Sequence, residues 1–134
     1  MLLKHLKLKG KLMRNTRYRA WDKEQEKMYY DVERIYDDWK TSCASFGAML
    51  EDTKRFDVMQ YTGKKDINSR RIFEKDIVSF CTLNGAERIG RVKYYEDGAS
   101  FLIIAEGRYA EYLNNVYNLE VIGNIHENKE LLNE

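Results

Sequence analysis

The chain has 134 residues, 23 of them basic and 22 acidic, for a formal net charge of +1, with 43% apolar and 34% charged residues. That length makes one domain or two very small ones, and the apolar fraction supports a modest core, which excludes wholesale disorder. No run approaches the ~18 apolar residues that would span a bilayer, so the expected place of the protein is the cytoplasm.

The first 20 residues hold seven bases (Lys4, Lys7, Lys9, Lys11, Arg14, Arg17, Arg19) and no acid, leaving 16 basic against 22 acidic residues in the remainder. Residues 1–12, MLLKHLKLKGKL, are too short and too interrupted for a signal-peptide core. The expectation is that they are a leader read from an upstream start, and that the natural chain begins at Met13. The domain then runs over 13–134, with an N-terminal subregion 13–54 and a C-terminal barrel 55–134.

Thr16 to Trp21 alternates, with Tyr18 and Ala20 on one side and Arg17, Arg19 and Trp21 on the other, which is a strand pattern. Asp22 to Glu26 is a charged turn, and Met28 to Val32 is the return strand of a hairpin. Met28, Val32, Ile35, Tyr36, Trp39 and Cys43 also fall at helical spacing, so a helix is expected somewhere within 33–51. Phe56 to Tyr61 is the next strand, Thr62 to Arg70 a loop, and Ile72 and Phe73 its apolar anchor. Asp76 to Leu83 alternates and leads into Asn84-Gly85, the dipeptide of a type I′ hairpin turn. Glu87 to Tyr95 is its partner. Asp97-Gly98 turns the chain into Ser100 to Ala105, and Glu106-Gly107 turns it again. Leu119 to Ile125 closes the set with Gly123 at a bend or bulge, and Asn128 caps a short helix at Lys129 to Asn133.

The fold expected from this order is mainly β, or β-rich α+β. It is a small antiparallel, SH3-like barrel in the C-terminal half, with an N-terminal β-hairpin and short helices. Proline is absent and tyrosine numbers ten, so turns fall to Gly, Asn and Asp and the aromatics favour strands.

Cys43 and Cys81 match no metal or redox spacing and are expected as free thiols. His5 lies in the leader and His126 stands alone. Thr62-Gly63-Lys64 lacks the earlier glycine and the following Ser/Thr of a phosphate loop. These residues point away from an enzyme, and no catalytic residue, cofactor or metal is expected. Two binding readings remain. Lys64, Lys65, Arg70 and Arg71, with Tyr61 and Phe73 beside them, have the cation-plus-aromatic make-up that suits single-stranded nucleic acid. Asp66, Glu74 and Asp76 dilute that field, and a mixed-charge solvated loop is the stronger reading. Trp21, Trp39 and Tyr112 are candidate interface anchors, since Tyr and Trp favour such positions. They point to a protein partner or to self-association, or else they fill the monomer's own core.

Three motifs in order carry a family resemblance: Tyr18-Arg19-Ala20-Trp21-Asp22-Lys23 with Met28; then Met59-Gln60-Tyr61-Thr62-Gly63, Lys65-Asp66, Asn68, Ile72, Glu74 and Asp76-Ile77-Val78; then Val121 to Ile125, Glu127-Asn128 and Glu130 to Leu132. Over residues 13–134 the chain resembles the YopX-type proteins of phages and prophages of Gram-positive bacteria. The resemblance implies an accessory protein of uncharacterised biochemical activity. Where the family pattern has Asn-Gly and Glu-Gly-Asp, this chain has Asn68-Ser69 and Glu74-Lys75-Asp76. If those positions need positive φ, Ser69 and Lys75 are strained by ~1 kcal/mol.

Overall fold

A computed structural model describes residues 16–36, 44–105 and 109–132. The proposed leader, the Met13 start, Trp39, Cys43 and the Glu106-Gly107 turn lie outside the described residues. The fold is mainly β, built on two antiparallel sheets. The first has the order β2-β1-β3-β4, with β1 at Tyr18–Asp22, β2 at Lys27–Tyr30, β3 at Phe56–Lys65 and β4 at Arg71–Phe73. The second has the order β8-β7-β6-β5-β9. Its strands are β5 (Asp76–Cys81), β6 (Glu87–Tyr95), β7 (Ser100–Ala105), β8 (Ala110–Tyr112) and β9 (Tyr117–Asn124).

The alternation in β1 is realised on both faces. Ala20 turns to a small core with Val32, Met49 and Phe56, over which the helix α1 (Phe46–Glu51) lies. Ser45 caps α1 by accepting from the Ala48 N–H at 3.2 Å, one of the orphan donors of a helix start. Arg19 and Trp21 point the other way, toward the second sheet. The return strand ends at Tyr30, short of the expected Val32, because Asp31 takes the left-handed region at φ 55° and a 3-10 helix, Val32–Arg34, follows. The helical spacing read from Met28 onward is thus shared among a strand, a 3-10 turn and α1.

β3 is longer than expected. Gly63 at φ 89° and a shift of register between Tyr61 and Lys65 form a bulge, which lets the strand bend and keep pairing. The loop expected at Thr62–Arg70 therefore shrinks, and Lys65 pairs with Arg71 across it. Ile72 and Phe73 are buried as expected, and as β4 they belong to the sheet.

The second sheet curls into half of a barrel whose core holds Val78, Phe80, Val92, Ile103, Leu119 and Val121, joined by Ile72 from β4. Fully burying an aliphatic side chain is worth ~1.5–3 kcal/mol. The Asn84-Gly85 hairpin is present but is not type I′. Only Gly85 has positive φ, at 87°. The Gly85 N–H donates to Thr82 O and the Thr82 N–H to Ala86 O, which is a three-residue loop ending in a left-handed residue. The expected Asp97-Gly98 turn is present, and within it Ala99 takes the left-handed region at φ 47°. Gly98 is needed for space, since a Cβ there would lie 2.7 Å from the Tyr95 ring. Gly123 sits at the expected bulge, where Ile77 pairs with Gly123 and Val78 with Val121. A 3-10 helix over Lys129–Leu132 follows β9.

Candidate functional site

Three regions carry polar or exposed groups in arrangements that a partner or substrate could meet: the junction of the sheets, the Asp66–Arg70 loop and the outer face of the second sheet. At the junction the Arg19 guanidinium pairs with the Asp76 carboxylate at 2.9 Å, with both side chains almost fully buried. Arg19 also donates to Glu74 O at 3.0 Å and lies over the Phe73 ring, while the Phe73 N–H donates to the second Asp76 oxygen. Beside this pair, Trp21 and His126 stack at 5.1 Å between ring centroids with 8° between planes. His126 Nε2 lies 2.7 Å from Asp57 Oδ2, and Lys75 Nζ donates to the same oxygen at 2.6 Å.

Burial works against the Asp57 charge, but the hydrogen bonds from Lys75 and His126 outweigh it and hold its pKa below the usual carboxylate range. Burial has the upper hand at Glu74 and raises its pKa. The His126 ring is covered by Trp21 on one side and bonded through Nε2 to Asp57, so the cluster is built as a tie between sheets. The sequence offered no signal for it, because Asp57 lies on β3 and His126 in the turn after β9, far apart in the chain and matching no spacing rule.

The loop after β3 is organised by Asp66. One of its oxygens accepts from the N–H groups of Asn68 and Arg70, both at 2.8 Å, and the other from the Val121 N–H at 2.9 Å. Burial opposes the charge here too, but the three backbone donors, with Val121 the strongest, lower the pKa. The Ile67 N–H donates to Leu119 O, so this loop covers the open edge of β9.

Of the five residues considered for nucleic acid, Lys65, Arg70 and Arg71 lie together, with Lys65 paired to Arg71 across the strands, while Tyr61 and Lys64 turn to other contacts. Tyr61 is buried, 5% exposed, with its ring against Phe73, which leaves no face for a base to stack on. Lys64 Nζ reaches Leu113 O and the Asn114 side chain. Arg71 pairs with Asp31 at 3.4 Å. Lys65 and Arg70 are exposed.

The outer face of the second sheet is exposed and carries apolar side chains among polar ones. A groove of about 690 Å³ lies there among Ser79, Cys81, Ile89, Ile104, Leu131 and Leu132, rimmed by Glu87, Arg88 and Glu120. Ile89 is 42% and Leu131 38% exposed. Tyr112, 47% exposed, stands opposite Leu102 at the β8 margin of the sheet. Among the described residues, no three His, Cys, Asp or Glu side chains gather as metal ligands would.

The family model described as "YopX protein" matches residues 17–133. The chain belongs to the YopX family. Protein EF1440 from Enterococcus faecalis has a similar structure, at TM-score 0.55 and 26% identity, covering 90% of this chain and 99% of that one. The YopX protein from Bacillus subtilis, 20% identical with the same coverage of both chains, shares the fold at TM-score 0.53. No curated protein matches the chain.

Seen in the fold, the YopX motifs meet in space. Arg19, Trp21 and Asp22 come from the first motif, Glu74 and Asp76 from the second, and Asn124 from the third. Asp22 accepts from Glu24 and Gln25 N–H groups and from Arg55. Asn124 accepts from the N–H groups of His126 and Glu127 and so sets the turn that presents His126. The residues that carry the resemblance thus include several that join and shape the two sheets. Trp21, expected as an interface anchor, is 9% exposed and anchors this internal interface. Tyr112 is the one of the three expected anchors that reaches the described surface.

Proposed function

We propose that this YopX-family chain is a non-enzymatic phage or prophage accessory protein that binds a protein partner through the outer face of its second sheet. The observation that carries the reading is the groove bordered by Ile89, Ile104 and Leu131. Two of these are exposed, on a face where neighbouring strands otherwise alternate apolar-in and polar-out. Most of the groove's exposed lining is polar, with Ile89 and Leu131 as exposed apolar points within it, a mixture ordinary for an interface between proteins. Glu87, Arg88 and Glu120 supply the rim, and Tyr112 adds an amphipathic ring of the kind favoured as an anchor.

Cross-linked pull-down with wild type and with Ile89→Asp tests the reading. A protein captured by wild type should be lost with the variant, and capture that ignores the substitution would remove it. Retention on a single-stranded DNA column that falls with salt, and falls again in Lys65→Ala/Arg70→Ala, would instead favour nucleic acid, because phosphate contacts weaken with ionic strength.

A further inference from the structure

We infer that the partner of the outer face is a second copy of this chain, packed face to face across β6 in an antiparallel, two-fold arrangement; this rests on the reading of that face as a protein-binding surface. Side chains of β6 alternate. Gly90 and Val92 turn to the core, and Val92 is 1% exposed. Glu87, Ile89, Arg91 and Lys93 turn outward and are all exposed or nearly so. The outward order is therefore acid, apolar, base, base. Neither Glu87 nor Arg91 has an ion-pair partner among the described residues.

At ~3.3 Å per residue, Glu87 and Arg91 stand about 13 Å apart with Ile89 midway between them. A two-fold axis lying between the faces and crossing β6 at Ile89 reverses the strand. It sets Glu87 of each copy opposite Arg91 of the other and Ile89 opposite Ile89. An axis along the strand would oppose Glu87 to Glu87 and Arg91 to Arg91. Like charges facing each other are strongly disfavoured, so the order of charges selects the antiparallel mode. A two-fold interface must be complementary to itself, and this strand is. The apolar share comes from Ile89, Ile104 and Leu131, which surround the groove.

Sedimentation equilibrium of the full chain over a wide range of concentration reads the result. Wild type should dimerise with rising concentration. Glu87→Arg and Arg91→Glu should each stay monomeric at concentrations where wild type is dimeric, because each opposes like charges. Mixing these two folded variants should restore a dimer, since every facing pair becomes opposite again, and the double variant should self-associate. Circular dichroism matching wild type shows that both single variants are folded, as expected for exposed positions.

Wild type that stays monomeric at every concentration overturns the proposal. A dimer indifferent to both charge reversals overturns it as well. If wild type is monomeric but captures a different protein in an Ile89-dependent way, self-pairing falls and the broader binding reading stands. If capture also ignores Ile89→Asp, both fall.

Discussion

Ser69 and Lys75 hold side chains in the left-handed region, at φ 64° and 68°. Both replace a glycine of the family pattern, and a Cβ in that region costs ~1 kcal/mol. Ser69 is exposed, and its N–H already closes the turn onto Asp66 O. Ser69→Gly should therefore raise stability by about 1 kcal/mol, read as a higher urea midpoint at unchanged slope. Lys75→Gly should gain less, since it also loses the 2.6 Å pair with Asp57; Lys75 is 41% exposed there, so screening keeps that loss small. Asp22, Asp57 and Asp66 all have lowered pKa values, through hydrogen bonds from Arg55 at Asp22 and, against burial, from Lys75 and His126 at Asp57 and from backbone amides at Asp66. Below the ordinary Asp value of ~3.9 the unfolded chain binds protons that the folded one refuses. Their stabilisation is present above that value and lost as pH falls through the folded values. Glu74 and Asp76 run the other way: burial raises both pKa values, so their contribution is full at low pH and lost as pH rises through the folded values. Urea titrations from about pH 5 to about pH 2 should show an acid limb in which stability falls below pH ~3.9. That limb should flatten in Asp57→Asn, and an unchanged limb would deny Asp57 this role.

Single elements are held by particular polar partners. Arg19 on β1 and Asp76 on β5 fasten one sheet to the other. Arg19→Met leaves a buried carboxylate uncompensated, a loss of ~3–5 kcal/mol. Arg19→Met/Asp76→Asn removes the orphaned charge while keeping an acceptor for the Phe73 N–H, and it should recover much of that loss in thermal or urea unfolding. Asp66 holds the loop to β9, and Asp66→Ala should speed amide hydrogen exchange at Val121 and Ile67 before the rest of the sheet opens. Much of this architecture was legible in the sequence. β6 and β7 run over the expected residues because the Asn84-Gly85 and Asp97-Gly98 turns bracket β6 and the second of them starts the apolar run of β7. β4 and β8, three residues each, are too short to show a period. The continuation of β3 past Gly63 depends on a bulge, which sequence alternation does not reveal. The lost glycines at Ser69 and Lys75 marked turns correctly, because a family pattern placed glycine there. The buried fate of Tyr61 and Trp21 was not legible, since an aromatic in a polar stretch reads equally as surface anchor or as core. The tie at His126 needed the two sheets to be in place before it could be seen.

Across the whole molecule, the strands of the second sheet pack too tightly to admit a side chain at one point. A Cβ at Gly90 would lie 2.7 Å from both Ile103 Cγ2 and Ile104 O. Since one of these is backbone, Gly90→Ala should force β6 and β7 apart and destabilise the sheet by ~1–3 kcal/mol, measurable as a lower melting temperature. The joining of the sheets has a further consequence for synthesis. Trp21 is among the first described residues to leave the ribosome, and its stacking partner His126 is among the last. The turn around Asn124 that presents the imidazole does not exist until β9 is complete. The first sheet therefore emerges with Trp21 uncovered on one face, and contacts so distant in sequence form late. A chain stalled before residue 126 would expose that indole to proteases and chaperones. Emergence of residue 126 is the step that brings its stacking partner to it.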